Sequence, residues 1–431
     1  MTKPLHFTAF QMLTPGDNGV WRDPQNIRNH LDLNYWIGQA QLLERAGFDA
    51  MFFADILGVF ETRESGAELS VRDAHVFPLG DPFTLVSALA AATRSLGFVV
   101  TASTTYEPPF LLARRFSTLD HFTGGRIGWN IVTSYLDSAA ANFGLTEQVT
   151  HADRYARADE YIEVLEKLWL QSWEADALRR DKASGVYADP AKVRAIDHRG
   201  AHYAVRGPHL VEPSPQGRPV YFQATASDTG FDFAIRHAEA LYTNAGNPEQ
   251  LKASIERLEG LARTAGRTAR PLVFAGINLA IGASHAEAEE KLERQTRFRN
   301  DDSILAWNGI DIRRYPRDTR LSDLATYGTT RPLRSVNGRH DVTIQDYIEH
   351  TRRLRTPFTV LGTPDEVVDQ IADLAARTGL DGFNISSATT PGVYEDFADH
   401  LTARLRARGL LAPPAATPIR LRDRLAPAGI R

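Results

Sequence analysis

The hydrophobic residues of this chain fall into short, dense runs separated by longer segments in which they recur every three or four positions. Eight of the short runs are rich in β-branched and aromatic residues and are apolar almost throughout, which is typical of strands buried on both faces of a parallel sheet. These runs begin at Leu5, Asp49, Leu96, Arg126, Pro219, Ala240, Pro271 and Asp381. Eight such strands alternating with helices predict an α/β fold, a (β/α)8 TIM barrel, because eight parallel strands close into that ring.

The longer segments between the runs predict amphipathic helices. In the clearest of them, apolar residues are spaced three and four apart, so they form one stripe on a helix. The stripe consists of Tyr155, Ala158, Ile162, Leu165 and Trp169. We therefore expect this helix to pack against the barrel.

Two stretches interrupt the alternation of strands and helices. Residues 171–218 contain glycine, proline and short extended pieces and predict a hairpin excursion, whereas residues 284–358 predict one charged helix followed by an aperiodic tract, YGTTRPLRSVNGRHD. A long irregular insertion in a compact domain is usually either a functional lid or disordered, and we expect a lid from about Ser303 to Val342, before the last strand. The organisation predicted is a single barrel domain over 1–409 and a proline- and alanine-rich arm over 410–431.

Composition removes several classes of function. The chain of 431 residues has a net charge of -4, which argues against nucleic acid as its main partner. It has no cysteine, which excludes disulfides, thiolate metal sites and a cysteine nucleophile. We find no leader sequence and no apolar run of membrane-spanning length, so we expect a cytoplasmic protein with no membrane partner.

Polar side chains follow several of the predicted strands, at the end of a parallel barrel where active sites lie. They are Asp55 after the second strand, Thr101 and Ser103 on the third, Asn130 on the fourth and Ser227 after the fifth. His151 and Tyr155 lie four apart on a following helix, on one face. The first strand offers one histidine, His6, so we expect no metal site. A set of hydroxyls, amides and one carboxylate is suited to orienting a large cofactor that supplies the reactivity.

Each of these residues also has a structural interpretation. Asp55 could form a turn at the end of a strand, and His151 could simply begin a helix. Tyr155 could be a core aromatic whose hydroxyl is satisfied. The segment QATASDTG could be a strand-to-helix turn capped by Ser227, or the backbone N–H groups at that helix start could bind a phosphate.

Several blocks of sequence resemble the bacterial-luciferase-like flavin monooxygenases. They are ADILGVF from Ala54, ARRFSTLDH from Ala113, GWNIVTS from Gly128 and HADRYARADEYIEVLEKLW from His151. The resemblance extends from about Leu5 to Leu405 and is greatest for the nitrilotriacetate monooxygenase branch. The segments SYLDSAAANFG and YADPAKV resemble segments of enzymes that act on dibenzothiophene sulfone.

The resemblance implies an FMN-binding site and a two-component reaction. It assigns to the cofactor site Asp55, Thr101, Asn130, His151, Tyr155, Ala226 and Ser227, with Asn130 and Ser103 near the ring system as catalytic residues. A separate NAD(P)H:FMN reductase would supply FMNH2, which would use O2 to cleave a C–S or other C–heteroatom bond, and a dimer or tetramer is implied. The sequence departs from some aminopolycarboxylate-type relatives, because GDNGVW from Gly16 stands where they carry paired histidines.

The substrate pocket is predicted to be apolar. Four aromatic residues lie near strand ends or in the loops after them: Phe10, Phe53, Phe60 and Trp129. A wall with few fixed charges favours a neutral organosulfur compound, since a polycarboxylate would need convergent Arg or Lys. Two alternatives stay open, a deazaflavin-dependent dehydrogenase on the same barrel and a non-catalytic flavin-binding protein.

Overall fold

A computed structural model describes most of the chain. The described residues are 3–16, 19–225, 227–243, 245–324, 341–353, 358–415 and 417–425.

Eight parallel strands form a closed ring, which is the TIM barrel that the hydrophobic runs predicted. In order around the ring they are β1 (His6–Gln11), β2 (Ala50–Phe53), β3 (Gly97–Ser103), β4 (Ile127–Val132), β9 (Val220–Ala224), β10 (Ala240–Thr243), β11 (Leu272–Ile281) and β13 (Gly382–Ser386). The ring closes where β1 pairs with β13, with His6 opposite Gly382. A ninth strand, β12 (Thr359–Gly362), was not predicted and pairs with the second half of β11.

Helices surround the ring, and neighbouring ones pack on each other. The main ones are α1 (Leu33–Ala46), α3 (Phe83–Ala92), α4 (Pro109–Thr123), α6 (His151–Glu166), α7 (Asp228–His237), α8 (Pro248–Thr264), α9 (His285–Arg297), α10 (Ile344–Arg353) and α11 (Pro364–Thr378). Short ones are α2 (Glu68–Asp73), α5 (Asp137–Asn142), α12 (Val393–Asp396), α13 (Thr402–Ala407) and α14 (Leu421–Leu425). The stripe predicted on α6 is buried at Ala158, Ile162 and Leu165, as expected.

Successive strand residues enter two separate cores. Inside the ring, Phe52, Val99, Phe222, Tyr242 and Phe274 form one buried cluster. The alternate positions, such as Phe53, Val100 and Trp129, belong to a larger cluster with the helices. Both faces of each strand are thus buried, which is why the strand sequences show no alternation of polar and apolar residues.

The two insertions predicted from the sequence have different structures. Between α6 and β9 the chain forms two small antiparallel hairpins, β5 (Leu178–Asp181) with β6 (Val186–Ala188) and β7 (His198–Arg199) with β8 (Ala204–Val205). After α9, short helical turns and α10 enclose a separate apolar cluster that includes Leu305, Ile312 and Ile348. Residues 325–340, within the predicted lid, lie outside the described residues.

Residues 417–425 run across the amino-terminal end of the barrel. Leu421 and Leu425 of α14 are buried in the cluster inside the ring. A Cβ added to Gly97 would lie 2.7 Å from Leu421 Cδ1, so a larger residue on this strand would require the Leu421 side chain to shift. Arg424 Nε lies 2.6 Å from Asp49 Oδ1 and fixes the arm to the start of β2. The arm therefore closes the base of the barrel and leaves its other end open.

Candidate functional site

A cavity of about 700 Å³ opens at the carboxyl ends of the strands. This main cavity brings together most of the residues selected from the sequence: Phe10, Asp55, Thr101, Asn130, His151, Tyr155 and Ser227. Ala226 lies outside the described residues. The residues come from separate strand ends and from α6 and α7, so the fold assembles the site.

Asn130 presents a buried acceptor to the main cavity. It lies opposite Thr101 in the β3–β4 register. The Thr101 hydroxyl donates its hydrogen to the Phe53 carbonyl at 2.8 Å, so it must accept from Asn130 Nδ2, 2.9 Å away. This fixes the amide orientation and leaves Asn130 Oδ1, a buried atom, without a partner among the described residues. A ligand N–H group would satisfy it.

A second set of polar groups lies where α6 and α7 begin. Ser227 is the N-cap of α7, its hydroxyl oxygen accepting from Gly230 N at 3.1 Å, so the capping interpretation of the QATASDTG turn is confirmed. Gln223 Oε1 and Arg154 Nε are buried and have no partner within the described ranges. Burial raises the pKa of the Tyr155 hydroxyl, which Thr225 and Ser227 offset in part by hydrogen bonding. The helix start, its cap and a guanidinium therefore converge on one end of the cavity.

Asp55 lies between the main cavity and a smaller one of about 180 Å³. Burial, followed by the Asp81 carboxylate, raises the pKa of Asp55 to about 7, against one hydrogen bond from the Ile56 N–H. Ser103 lines the smaller cavity with Asp81 and Glu107, and its hydroxyl accepts from Ser134 Oγ at 2.9 Å. Ser103 thus lies beside the main cavity rather than in its wall.

Three of the four predicted substrate-pocket aromatics do not line the main cavity. Phe53 and Trp129 are fully buried against the helices, where Phe53 contacts Trp36 and Trp129 contacts Phe116. Assigning them to the pocket was wrong because strand side chains alternate, and the inward positions on these strands are Phe52 and Asn130. Phe60 lies behind the cavity wall, 4.3 Å from the ring of Trp307.

Other lining residues were not selected from the sequence. Arg154 lies one turn from His151, so helical spacing in HADRY could have indicated it. Phe52 could not be distinguished from Phe53, because both faces of β2 are apolar. Trp307 reaches the main cavity from the insertion after β11, where the sequence carries no periodicity.

A second cavity, of about 390 Å³, adjoins the first over the ends of β10, β11 and β13. Phe10, Met12, Phe52 and Ala224 line both cavities. Arg28 and Arg299 line the second, which departs from the expectation of a pocket with few fixed charges.

A parallel barrel whose mouth holds amides, hydroxyls and a guanidinium around a cofactor-sized cavity defines a cofactor-dependent barrel enzyme. The family model described as "Luciferase-like monooxygenase" matches residues 8–382. The chain belongs to this family of flavin-dependent monooxygenases and is an oxygen-incorporating oxidoreductase.

Relatives with several different substrates match over nearly the whole chain. The long-chain alkane monooxygenase of Geobacillus thermodenitrificans is 41% identical over 95% of this chain and 91% of its own length. The dimethyl-sulfide monooxygenase of Hyphomicrobium sulfonivorans is 40% identical over 95% and 88%. The resemblance to dibenzothiophene-sulfone monooxygenase is confirmed at a lower level, 35% identity over 91% and 89% for the Rhodococcus erythropolis enzyme.

Solved structures support the same assignment. The crystal structure of a long-chain alkane monooxygenase superimposes with a TM-score of 0.89 at 38% identity, covering 99% of this chain and 96% of that one. A riboflavin lyase, solved with modified FMN and riboflavin, gives a TM-score of 0.88 at 36% identity over 98% and 96%.

Among the described residues, no helix is long and apolar enough to cross a membrane. Over the same residues, no group of three or more His, Asp or Glu side chains is arranged to hold a metal ion.

Proposed function

We propose that the protein uses FMNH2 and O2 to oxidise a small organosulfur compound at a C–S bond, or a related compound at another C–heteroatom bond. The observation that carries the cofactor assignment is the set of buried polar atoms without partners in the main cavity. Asn130 Oδ1 and Gln223 Oε1 are acceptors, and Arg154 Nε is a cationic donor. A flavin mononucleotide offers ring N–H groups, ribityl hydroxyls and a phosphate, so its chemistry fits all three.

The two ends of the main cavity would hold different parts of FMN. Arg154, Tyr155 and the capped start of α7 would bind the phosphate, because a helix N-terminus and a guanidinium both favour an anion. Asn130 would accept a hydrogen bond from the ring system, beside Asp55 and Thr101. The reduced flavin supplies two electrons, so that one oxygen atom of O2 enters the substrate and the other leaves as water.

The remaining assignments follow from the sequence. No nicotinamide-binding fingerprint occurs in it, so we propose that a separate NAD(P)H:FMN reductase supplies the reduced flavin. A homodimer or tetramer working in the cytoplasm completes the proposal. The segment from Ser303 to Val342 would act as a lid, since Trp307 on it lines the main cavity.

Two variants test the flavin site. Ser227→Ala and Tyr155→Phe each remove one hydroxyl from the phosphate end, and we expect each to weaken FMNH2 binding about 10- to 100-fold, the worth of a charge-assisted hydrogen bond. Anaerobic titration measures this affinity, and riboflavin, which has no phosphate, should bind wild type and variants alike. Ser254→Ala, at a half-buried position on α8 outside the main cavity, is the matched control. Unchanged FMNH2 affinity in both site variants would show that the phosphate binds elsewhere.

A further inference from the structure

The second cavity contains two arginines that form no ion pair with a carboxylate among the described residues. Arg28 is held rigidly, because its Nε donates to the Thr14 carbonyl at 3.0 Å and its Nη2 to the Met12 carbonyl at 2.6 Å. Its guanidinium carbon lies 5.7 Å from the centre of the Trp36 ring. These partners are neutral, and in the described part of the chain no Asp or Glu forms an ion pair with Arg28.

Among the described residues, the Arg299 side chain has fewer hydrogen-bond partners than that of Arg28. Its Nε atom is buried and makes no hydrogen bond within the described residues, and no carboxylate there pairs with its guanidinium. Arg294, on the preceding helix, differs in pairing with Asp23 at 2.8 Å. A buried cationic donor without a partner is costly, so its retention in a cavity wall suggests a ligand that supplies the acceptor.

The rest of the wall is mainly apolar or neutral. The Phe10 and Phe52 rings stack 5.9 Å apart at the boundary with the main cavity, and Tyr242 packs 4.4 Å from Phe52. Met12 and Ile277 add further apolar surface, and none of the described residues that line this cavity is acidic. The cavity therefore has a positive region and an apolar region that leads towards the main cavity.

We propose that the second cavity binds the substrate through an anionic group, a carboxylate or a sulfonate, held by Arg28 and Arg299. The apolar, sulfur-bearing part of the substrate lies along Phe10, Met12 and Phe52 towards the flavin ring. This inference rests on the proposed function, because it takes the main cavity to hold the flavin. It replaces the neutral substrate expected from the sequence with an acidic one.

The first test compares charged and neutral ligands of equal shape. A series of ω-(methylthio)alkanoates, from the ethanoate to the hexanoate, is paired with sulfides in which an isopropyl group replaces the carboxylate. Calorimetric binding to the flavin-free protein should favour at least one acid over its neutral partner by about 10-fold or more. Absence of binding by every acid, or equal binding of each pair, would overturn the proposal.

The second test assigns the preference to the arginines. Arg299→Gln should remove the preference, reducing acid affinity about 10- to 100-fold, while Arg299→Lys should restore part of it. Arg297→Gln, at an exposed position on α9, is the matched control. Arg28→Gln should act in the same direction, although it also removes two loop hydrogen bonds.

The third test separates this proposal from a phosphate site and from the proposed function. FMNH2 affinity should be unchanged in Arg299→Gln, and a loss as large as that for the acid would overturn the proposal in favour of flavin phosphate binding. Failure of wild type to couple FMNH2 oxidation to oxidation of any sulfide would contradict the proposed function instead. In that case the binding of the acid, measured without flavin, still decides whether the arginines form an anion site.

Discussion

Replacing Asp55 with asparagine should stabilise the flavin-free protein at alkaline pH and have little effect at acid pH. The carboxyl group lies at the junction of two cavities with Asp81 and Glu107 nearby, and burial, followed by the Asp81 charge, raises its pKa to about 7. Asparagine has the same shape and keeps an oxygen that can accept from the Ile56 N–H. The variant therefore removes mainly the charge.

The direction and size follow from the two protonation equilibria. The folded protein binds this proton more tightly than the unfolded chain, whose carboxyl keeps an ordinary pKa of 3.8. Wild type therefore loses stability as pH rises from about 4 to 7, with no further loss from this group above that range. The difference between the pKa of about 7 in the folded protein and 3.8 in the unfolded chain corresponds to a loss of at most about 4 kcal/mol in the free energy of unfolding. Because water at the cavity mouth screens the charge, we expect about 2 kcal/mol.

Urea denaturation of both proteins at pH 5, 6, 7 and 8 measures the effect. The free energy of unfolding of Asp55→Asn should exceed that of wild type by a margin that grows with pH and levels off above pH 7. Asp399→Asn, at an exposed position with no ion pair in the described part of the chain, should show no such trend. A margin that is constant across pH, or that shrinks as pH rises, would refute the electrostatic reasoning.

Three other outcomes are expected. Anaerobic titration should show that FMNH2 binds at least about 10-fold, or 1.4 kcal/mol, more tightly than FMN. The reason is that a partner reductase must deliver FMNH2 and recover FMN. Equal affinities would indicate a permanently held flavin. Trp307→Ala should open the main cavity and raise the amount of hydrogen peroxide released per FMNH2 oxidised, with little change in FMNH2 affinity. The control Trp21→Ala, at an exposed position, should leave the release of hydrogen peroxide unchanged. Unchanged coupling in Trp307→Ala would argue against a lid. Leu421→Ala should lower the free energy of unfolding by about 3 kcal/mol, measured by urea denaturation. Leu170→Ala, at an exposed position, is the control. A loss below about 1 kcal/mol for Leu421→Ala would mean that the arm contributes little to the core.

The barrel could be predicted from sequence because burial on both strand faces leaves a distinct pattern. All eight barrel strands coincide with dense apolar runs, and the polar residues that end them meet at one mouth, as parallel topology requires. The ninth strand, β12, is fully buried only at alternate positions, Val360 and Gly362, so it carried no comparable dense apolar run. Because both faces of each strand are apolar, the sequence does not show which alternate residues point into the ring and which point towards the helices. This is why Phe53 and Trp129 were assigned to the wrong face.

The arginines of the second cavity could not be found from sequence for a different reason. Arg28 lies in a loop after β1, and Arg299 follows α9, 271 positions along the chain. In a chain with many scattered arginines, only the fold shows which ones lack carboxylate partners. Residues that act through their position on strand ends were therefore predictable, whereas residues brought in by loops were not.

The seal at the base of the barrel makes closure of the ring depend on a helix that follows all of its strands in the sequence. Leu421 and Leu425 follow every barrel strand in the sequence, yet they lie inside the ring that β1 begins. A growing chain on the ribosome can pair its strands but cannot exclude water from the lower end of the ring until those residues are released. A chain truncated after α13 would therefore expose the apolar surface that Leu421 and Leu425 cover, and proteases and chaperones recognise such surface.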